Sequence, residues 1–262
     1  MGVVNVTPDS FSGGGLFLGA QAAVDQAAQL VSDGADVLDI GGESSRPGAE
    51  PTPEQVELDR VAPVIERLAG RFDVPISVDT YKPAVATACC GLGAVIVNDI
   101  NGLRDPEMIR AVAGAEASVV IMHMRGSPKT MQQNLDYDDV VSEVGAFLED
   151  RARAALAAGV KDVAIDPGLG FGKTVAQNYE LLRRLNELSP SVLPILVGAS
   201  RKSFLGKLAS QLPVGERLEG TIAASCAAAM RGAAIVRVHD VKQCRRALEV
   251  VDAILYGPNS DS

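Results

Sequence analysis

The residues of this chain best suited to chemistry are Asn5, Asp39, Asp79, Asn98, His123, Asp166, Lys202 and the pair Arg237 and His239. Each stands at or just past the end of a short apolar run. The runs recur along the whole sequence, at residues 2–6, 36–40, 75–79, 94–98, 118–122, 163–166, 194–198 and 234–238. Aspartate is rarely buried without a partner. For any one of the three aspartates, capping the next helix or pairing with a basic residue is an equally good reading. Three of them with two asparagines on one rim favour a ligand instead. Together they offer acceptors and donors to the edge of a polar heterocycle. A carboxylate facing an N–C–N edge accepts two parallel hydrogen bonds, as it does from arginine.

Arg237-Val238-His239 places a cation and an imidazole on one face of an extended segment. Such a pair at the last strand of a barrel suits a phosphate. The plainer alternative pairs Arg237 with Asp240 and packs His239 into the core. Ser200-Arg201-Lys202-Ser203 brings two cations and two hydroxyls into one loop. There Lys202 is suited to lie over a ring or bond its carbonyl, and Ser203 to touch a second substrate; a solvated helix start is the alternative. Gly168-Leu169-Gly170-Phe171-Gly172-Lys173-Thr174 looks like a phosphate loop, but Pro167 occupies the position where that motif needs its first glycine. These glycines are expected to turn tightly or let backbone approach a ligand, with Phe171 as an apolar wall. Residues 7–15 and 41–51 have the glycine hinges and polar tips of active-site lids, or of plain surface connections.

Helical stretches separate the apolar runs, at residues 20–33, 53–69, 82–90, 106–113, 138–158, 176–187, 215–230 and 241–255. Thr52-Pro53-Glu54-Gln55 reads as a capping box with proline in the first turn, and Asp105-Pro106 as a second cap. Eight alternations of buried strand and helix predict an α/β chain, a single (β/α)8 TIM barrel over residues 1–257 followed by a tail at 258–262. In that fold the C-terminal strand ends meet at one rim. A doubly wound open sheet is the alternative, but Asn5-Val6-Thr7-Pro8-Asp9 after the first run lacks its glycine fingerprint.

The 262 residues carry a formal net charge of −9, which argues against coating nucleic acid. No apolar run approaches the roughly 20 residues of a membrane span. The N-terminus shows no secretory signal, so a cytoplasmic protein with no membrane partner is expected. Cys89, Cys90, Cys226 and Cys244 form no C-x-x-C pair and read as free thiols.

Eight segments in order resemble the dihydropteroate synthase family. They are Met1 to Ser12, Asp39-Ile40-Gly41-Gly42-Glu43-Ser44-Ser45-Arg46-Pro47-Gly48, Ser77-Val78-Asp79-Thr80, Asn98-Asp99-Ile100, Met122-His123-Met124-Arg125-Gly126, Asp166 to Thr174, Ser200 to Gly206 and Arg237-Val238-His239-Asp240-Val241. The resemblance spans nearly the whole chain. It implies a transferase that condenses 6-hydroxymethyl-7,8-dihydropterin diphosphate with 4-aminobenzoate, giving 7,8-dihydropteroate and diphosphate by dissociative substitution.

By the same likeness, Asp79, Asn98, Asp166 and Lys202 hold the pterin, with Met122, Ile100 and Phe171 around it. Asn5, Arg46, Arg237 and His239 take the diphosphate, and Asn5 ligates Mg²⁺. Ser45, Arg46, Pro47, Phe171 and Ser203 line the 4-aminobenzoate site. Asp79, Lys202, Arg237, His239 and Asp39 are the implied catalytic set. A homodimer and competition by sulfonamides, which mimic 4-aminobenzoate, follow from the likeness as well. Gly13 stands where the family often has Asp, Ser45 where Thr is frequent, and the first strand begins almost at Met1, where relatives usually carry a preceding segment. Two rivals share the pterin contacts: a corrinoid methyltransferase that uses methyltetrahydrofolate, and a pterin-binding paralogue without catalysis. The first has no need of Arg237 with His239 or of the Ser-Arg-Lys-Ser loop.

Overall fold

Each of the eight apolar runs folds as a strand. The structure, a computed structural model, describes residues 1–7, 15–189, 193–208 and 211–258. The strands are β1 (Gly2–Asn5), β2 (Leu38–Gly41), β3 (Ile76–Asp79), β4 (Ile96–Asp99), β5 (Ser118–Met122), β6 (Val163–Asp166), β7 (Ile195–Val197) and β8 (Ala233–Val236). They form one parallel sheet in sequence order. The two ends of that order also meet. Gly2 and Val238 form an isolated parallel bridge, Val3 N–H donates to the Val238 carbonyl at 3.0 Å, and Val238 N–H donates to the Met1 carbonyl at 3.0 Å.

The helices are α1 (Gly15–Ser32), α2 (Glu54–Leu68), α3 (Pro83–Gly91), α4 (Pro106–Gly114), α5 (Val140–Ala157), α6 (Val175–Arg183), α7 (Ser203–Leu208), α8 (Leu218–Ala229) and α9 (Val241–Tyr256). Three local expectations are corrected. The capping box at Thr52 does not form, because Pro53 is the extended N-cap of α2 and no side chain caps it. The reciprocal box lies at α6, between Thr174 and Gln177. The single helices expected at 176–187 and 215–230 each break, into α6 with a 3-10 turn Leu185–Glu187 and into a 3-10 turn Val214–Glu216 with α8. Asp105 does cap α4, accepting from Glu107 N–H at 2.9 Å. A short helix, α7, begins where the sequence suggested loop.

Side chains alternate along each strand. One set, including Val78, Val97, Ile121, Ile165 and Val197, packs against the helices in the main core. The other set turns away from them, and Met1, Val120 and Leu196 form a second cluster joined by Val37, Ile96, Ala164 and Ile235. Two residues further along the same face stand Asp39, Asn98, Asp166 and Arg237. The strand period therefore delivers the polar strand ends to one side of the sheet. Among the described residues no helix is long and apolar enough to cross a membrane, and all four cysteines are free thiols.

Ile121 is fully buried between strand and helices. Ile121→Ala is expected to cost about 3 kcal/mol of folding stability by equilibrium urea unfolding. A loss below about 1 kcal/mol would place that side chain outside the main core.

Candidate active site

Arg237, just past β8, lies between two carboxylates from β2 and β3. Its Nε donates to Asp39 Oδ2 at 2.6 Å and one Nη to Asp79 Oδ2 at 2.7 Å. Asn98 on β4 adds a longer bond to the same Asp39 oxygen, at 3.3 Å. Asp39 is completely buried, and its Oδ1 has no partner. Burial pushes the Asp79 carboxyl up to about 7, against the pull of Arg237. For Arg237 burial opposes the charge, but Asp39 and Asp79 outweigh it and hold the guanidinium above its ordinary range. The alternative reading that pairs Arg237 with Asp240 is not what the structure shows. Asp240 instead takes two bonds from Arg201, at 2.9 and 2.5 Å, which draws one of the loop's two cations outward.

Asp166, Lys202 and Phe171 meet on the turn after β6. Asp166 Oδ1 accepts from Gly168 N–H at 2.7 Å, and burial raises its carboxyl. Lys202 Nζ donates to the Leu169 carbonyl and lies 4.5 Å from the Phe171 ring centroid. Burial lowers its ammonium to about 8. Gly198, after β7, keeps space open at the centre. A Cβ there would sit 3.8 Å from Lys202 Nζ and 3.9 Å from both Asp166 Oδ2 and Arg237 Cβ. Phe171 packs with Ile100, Met122, Met124 and Met131 in a separate apolar cluster that Tyr81 borders. The turn needs its glycines, since Gly168 has φ +66° and a Cβ there would lie 1.9 Å from the His123 carbonyl oxygen.

His239 Nδ1 is 3.0 Å from Ser200 Oγ, which also accepts the His239 backbone N–H at 3.2 Å. Burial and then Arg237 lower the imidazole to about 4, so near neutrality it offers a neutral hydrogen bond and no charge. Asn5 is half-buried at the end of β1, in register with Gly41. Ser203 is exposed at the start of α7. In the 41–51 loop Ser45 is half-buried, while Arg46 and Pro47 are exposed. The root of that loop is tied down: Glu43 accepts from Tyr81 Oη at 2.8 Å and from Lys82 Nζ, and Lys82 also donates to buried Glu57. Gly13 and its neighbours at 8–14 lie outside the described residues.

Sequence reasoning singled out His123 only as a polar strand end and gave no role to Lys173, Glu57 or Lys82. Lys173 Nζ bonds His123 Nδ1 at 3.1 Å and the carbonyls of Phe171, Gly168 and His123 at 2.9, 3.0 and 3.3 Å. Burial lowers its ammonium to about 7 and, with the nearby cations, the His123 imidazole to about 2. The signal available in the sequence was the lysine directly after three closely spaced glycines, which a failed phosphate-loop match set aside.

Two measurements follow. Arg237→Met strands two carboxylates and is expected to cost about 3–5 kcal/mol in urea unfolding; a loss under about 1 kcal/mol would show that neither depends on it. The chain has two histidines, so a proton NMR titration resolves both. Each has a folded pKa below its ordinary value, so each contributes stability that is present above pH 6.5 and lost as the pH falls toward the folded value. His239 is expected to titrate near 4 and His123 not to titrate above it; a midpoint near 6.5 for either would contradict the burial.

A family described as pterin binding enzyme matches residues 1–239. A dihydropteroate synthase of Escherichia coli (strain K12) is 49% identical over 257 residues, 97% of this chain and 91% of that protein. A Xanthomonas albilineans dihydropteroate synthase solved with 4-aminobenzoic acid superposes with a TM-score of 0.92 at 47% identity, covering 98% of this chain and 93% of that one. The X. albilineans enzyme in complex with 7,8-dihydropteroate gives 0.88 at 45% identity, over 98% and 94%. With matches of this length and identity, the chain belongs to the pterin-binding enzymes and, among them, to the dihydropteroate synthases, transferases of folate biosynthesis.

Proposed function

We propose that this chain joins 6-hydroxymethyl-7,8-dihydropterin diphosphate to 4-aminobenzoate at the rim formed by its strand ends. The observation that carries the reading is the convergence of Asp166, Lys202 and Arg237 around Gly198, with Asp79 bonded to Arg237 from β3 and Asn98 bonded to Asp39 from β4. Asp166 accepts the amino-pyrimidine edge of the pterin, Asn98 and Asp79 meet its other polar atoms, and Lys202 bonds the carbonyl. Met122, Ile100 and Phe171 supply the apolar wall.

Arg237 spends two of its five donors on Asp39 and Asp79. The rest, with His239, face the diphosphate. Arg46 closes over it from the 41–51 loop, while Ser45, Pro47, Phe171 and Ser203 line the 4-aminobenzoate side. Mg²⁺ suits this site because it takes oxygen ligands and keeps waters and phosphate oxygens alongside one or two protein groups. The half-buried Asn5 carboxamide supplies one such oxygen. When bound, the ion neutralises charge on the diphosphate.

The carbon–oxygen bond between the pterin methylene and the diphosphate breaks first, and its electron pair leaves with the diphosphate. Arg237 and His239 stabilise the departing group. Asp79, already facing Arg237, counters the positive charge that develops on the methylene. The arylamine lone pair then forms the new carbon–nitrogen bond, and the nitrogen sheds a proton to water. No strong base is needed, because the amine is uncharged near neutral pH.

The remaining readings extend this one. The contacts between Met1–Val3 and Val238 support closure of the sheet into a (β/α)8 barrel, a single domain over residues 1–257 with a short tail. Exposed Met230, Val250 and Ile254 at the end of α8 and on α9 support a homodimer through that face. The cell compartment is the cytoplasm, as folate-pathway chemistry on soluble anionic substrates suggests.

The test is diphosphate release from the pterin diphosphate with Mg²⁺, with and without 4-aminobenzoate, together with identification of the pterin product. Release that depends on 4-aminobenzoate, with dihydropteroate formed, is the expected result. Pterin binding without release would favour the non-catalytic paralogue.

A further inference from the structure

Lys173 is buried to 4% exposure, yet it faces no carboxylate at hydrogen-bond distance. Its ammonium is held by four neutral acceptors: His123 Nδ1 and the carbonyls of His123, Gly168 and Phe171. An ammonium taken out of water is costly unless such a site repays the lost hydration. Two of the four acceptors belong to the turn at 168–171, and the other two to the residue directly after β5.

Leu169 anchors the turn in the main core, Phe171 packs in its own apolar cluster, and Gly170 N–H donates to Asn178 Oδ1 at 2.6 Å, but the path between these anchors is set by backbone. The turn holds two glycines at positive φ, Gly168 at +66° and Gly170 at +82°, which leave the backbone with little intrinsic preference for this path. Three groups at the site take their places from it. Gly168 N–H bonds Asp166 Oδ1, the Leu169 carbonyl accepts from Lys202, and the Phe171 ring lies under the Lys202 ammonium.

We infer that Lys173 is a positioning residue for pterin recognition: its ammonium pins the 168–171 turn to His123 and so fixes Asp166, Lys202 and Phe171 relative to one another. With Lys173 in its ammonium form, which only donates, His123 Nδ1 is the acceptor of this bond and the ring's proton sits on Nε2. The imidazole is itself braced edge-on by Phe147, with ring centroids 5.1 Å apart. The clamp is thus anchored to a fixed ring on β5's end, not to another mobile loop. The inference rests on the pterin-site reading above, because its consequence is a change in pterin binding.

The experiment compares the unsubstituted chain with Lys173→Met, which keeps the length and apolar stem but removes every donor, and with Lys173→Gln, which restores two donors without charge. Folding is checked by circular dichroism. Binding of the pterin diphosphate is measured by calorimetry, and KM for each substrate and kcat by diphosphate release. Lys173→Met is expected to weaken pterin binding and raise the pterin KM by about tenfold or more, the loss expected for a charge-assisted bond. The 4-aminobenzoate KM should move less than the pterin KM, and Lys173→Gln should recover part of the loss. A general loss of packing would instead lower the active fraction, and so kcat, without this split. A folded Lys173→Met chain that binds pterin as tightly as the unsubstituted one overturns the inference alone. An unsubstituted chain that binds no pterin overturns the site reading and this inference with it. Failure of both variants to fold would assign Lys173 to the fold and overturn its positioning role.

Discussion

The rim is organised by one half-buried cation shared between a fully buried carboxylate, Asp39, and a half-buried one, Asp79. Arg237 reaches Asp39 and Asp79 from a strand end 198 and 158 residues away in the chain. Its two bonds tie the region after β8 to β2 and β3, so the first and last parts of the sheet hold each other at the level of the site. The arrangement is sound only as a set. Each carboxylate without the guanidinium is an uncompensated charge in a poorly hydrated place, and the guanidinium without them is no better. Burial nevertheless pushes the Asp79 carboxyl up to about 7, and Arg237 opposes that rise.

The opposite side of the rim is built differently. Here backbone carries the geometry: glycines admit a path that no residue with a Cβ would tolerate at Gly168, and Lys173 fastens that path to His123. One half of the site is therefore set by paired charges and the other by carbonyls gathered around an ammonium. Between them sits Gly198, where a Cβ would lie within 3.9 Å of Asp166, Lys202 and Arg237. The proposed function uses that division, with the pterin edge on Asp166 and the diphosphate on Arg237.

Much of this was legible in the sequence because the strand period is so simple. Two-residue alternation puts Val37 and Asp39, Ile96 and Asn98, Ala164 and Asp166, and Ile235 and Arg237 on common faces. Once the apolar runs are recognised, the polar strand ends must gather on one side. Partners were harder to read, since nothing local in Arg237-Val238-His239-Asp240 reveals that Arg237 turns inward while Asp240 takes Arg201. Lys173 was obscured for a related reason, as its acceptors are mostly backbone carbonyls and carry no residue-type signature. Thr52 illustrates the opposite error. The right residue types stood in the right order, but Pro53 took the cap position in an extended conformation and left Thr52 outside the helix.

The most direct test of this account is a crystal structure of the chain with 7,8-dihydropteroate and diphosphate bound. The account requires the amino-pyrimidine edge on Asp166, Lys202 over the ring or on its carbonyl, and diphosphate oxygens on Arg237 while that guanidinium still holds Asp39 and Asp79. A pterin seated away from Asp166, or an Arg237 that abandons both carboxylates to reach the anion, would contradict it.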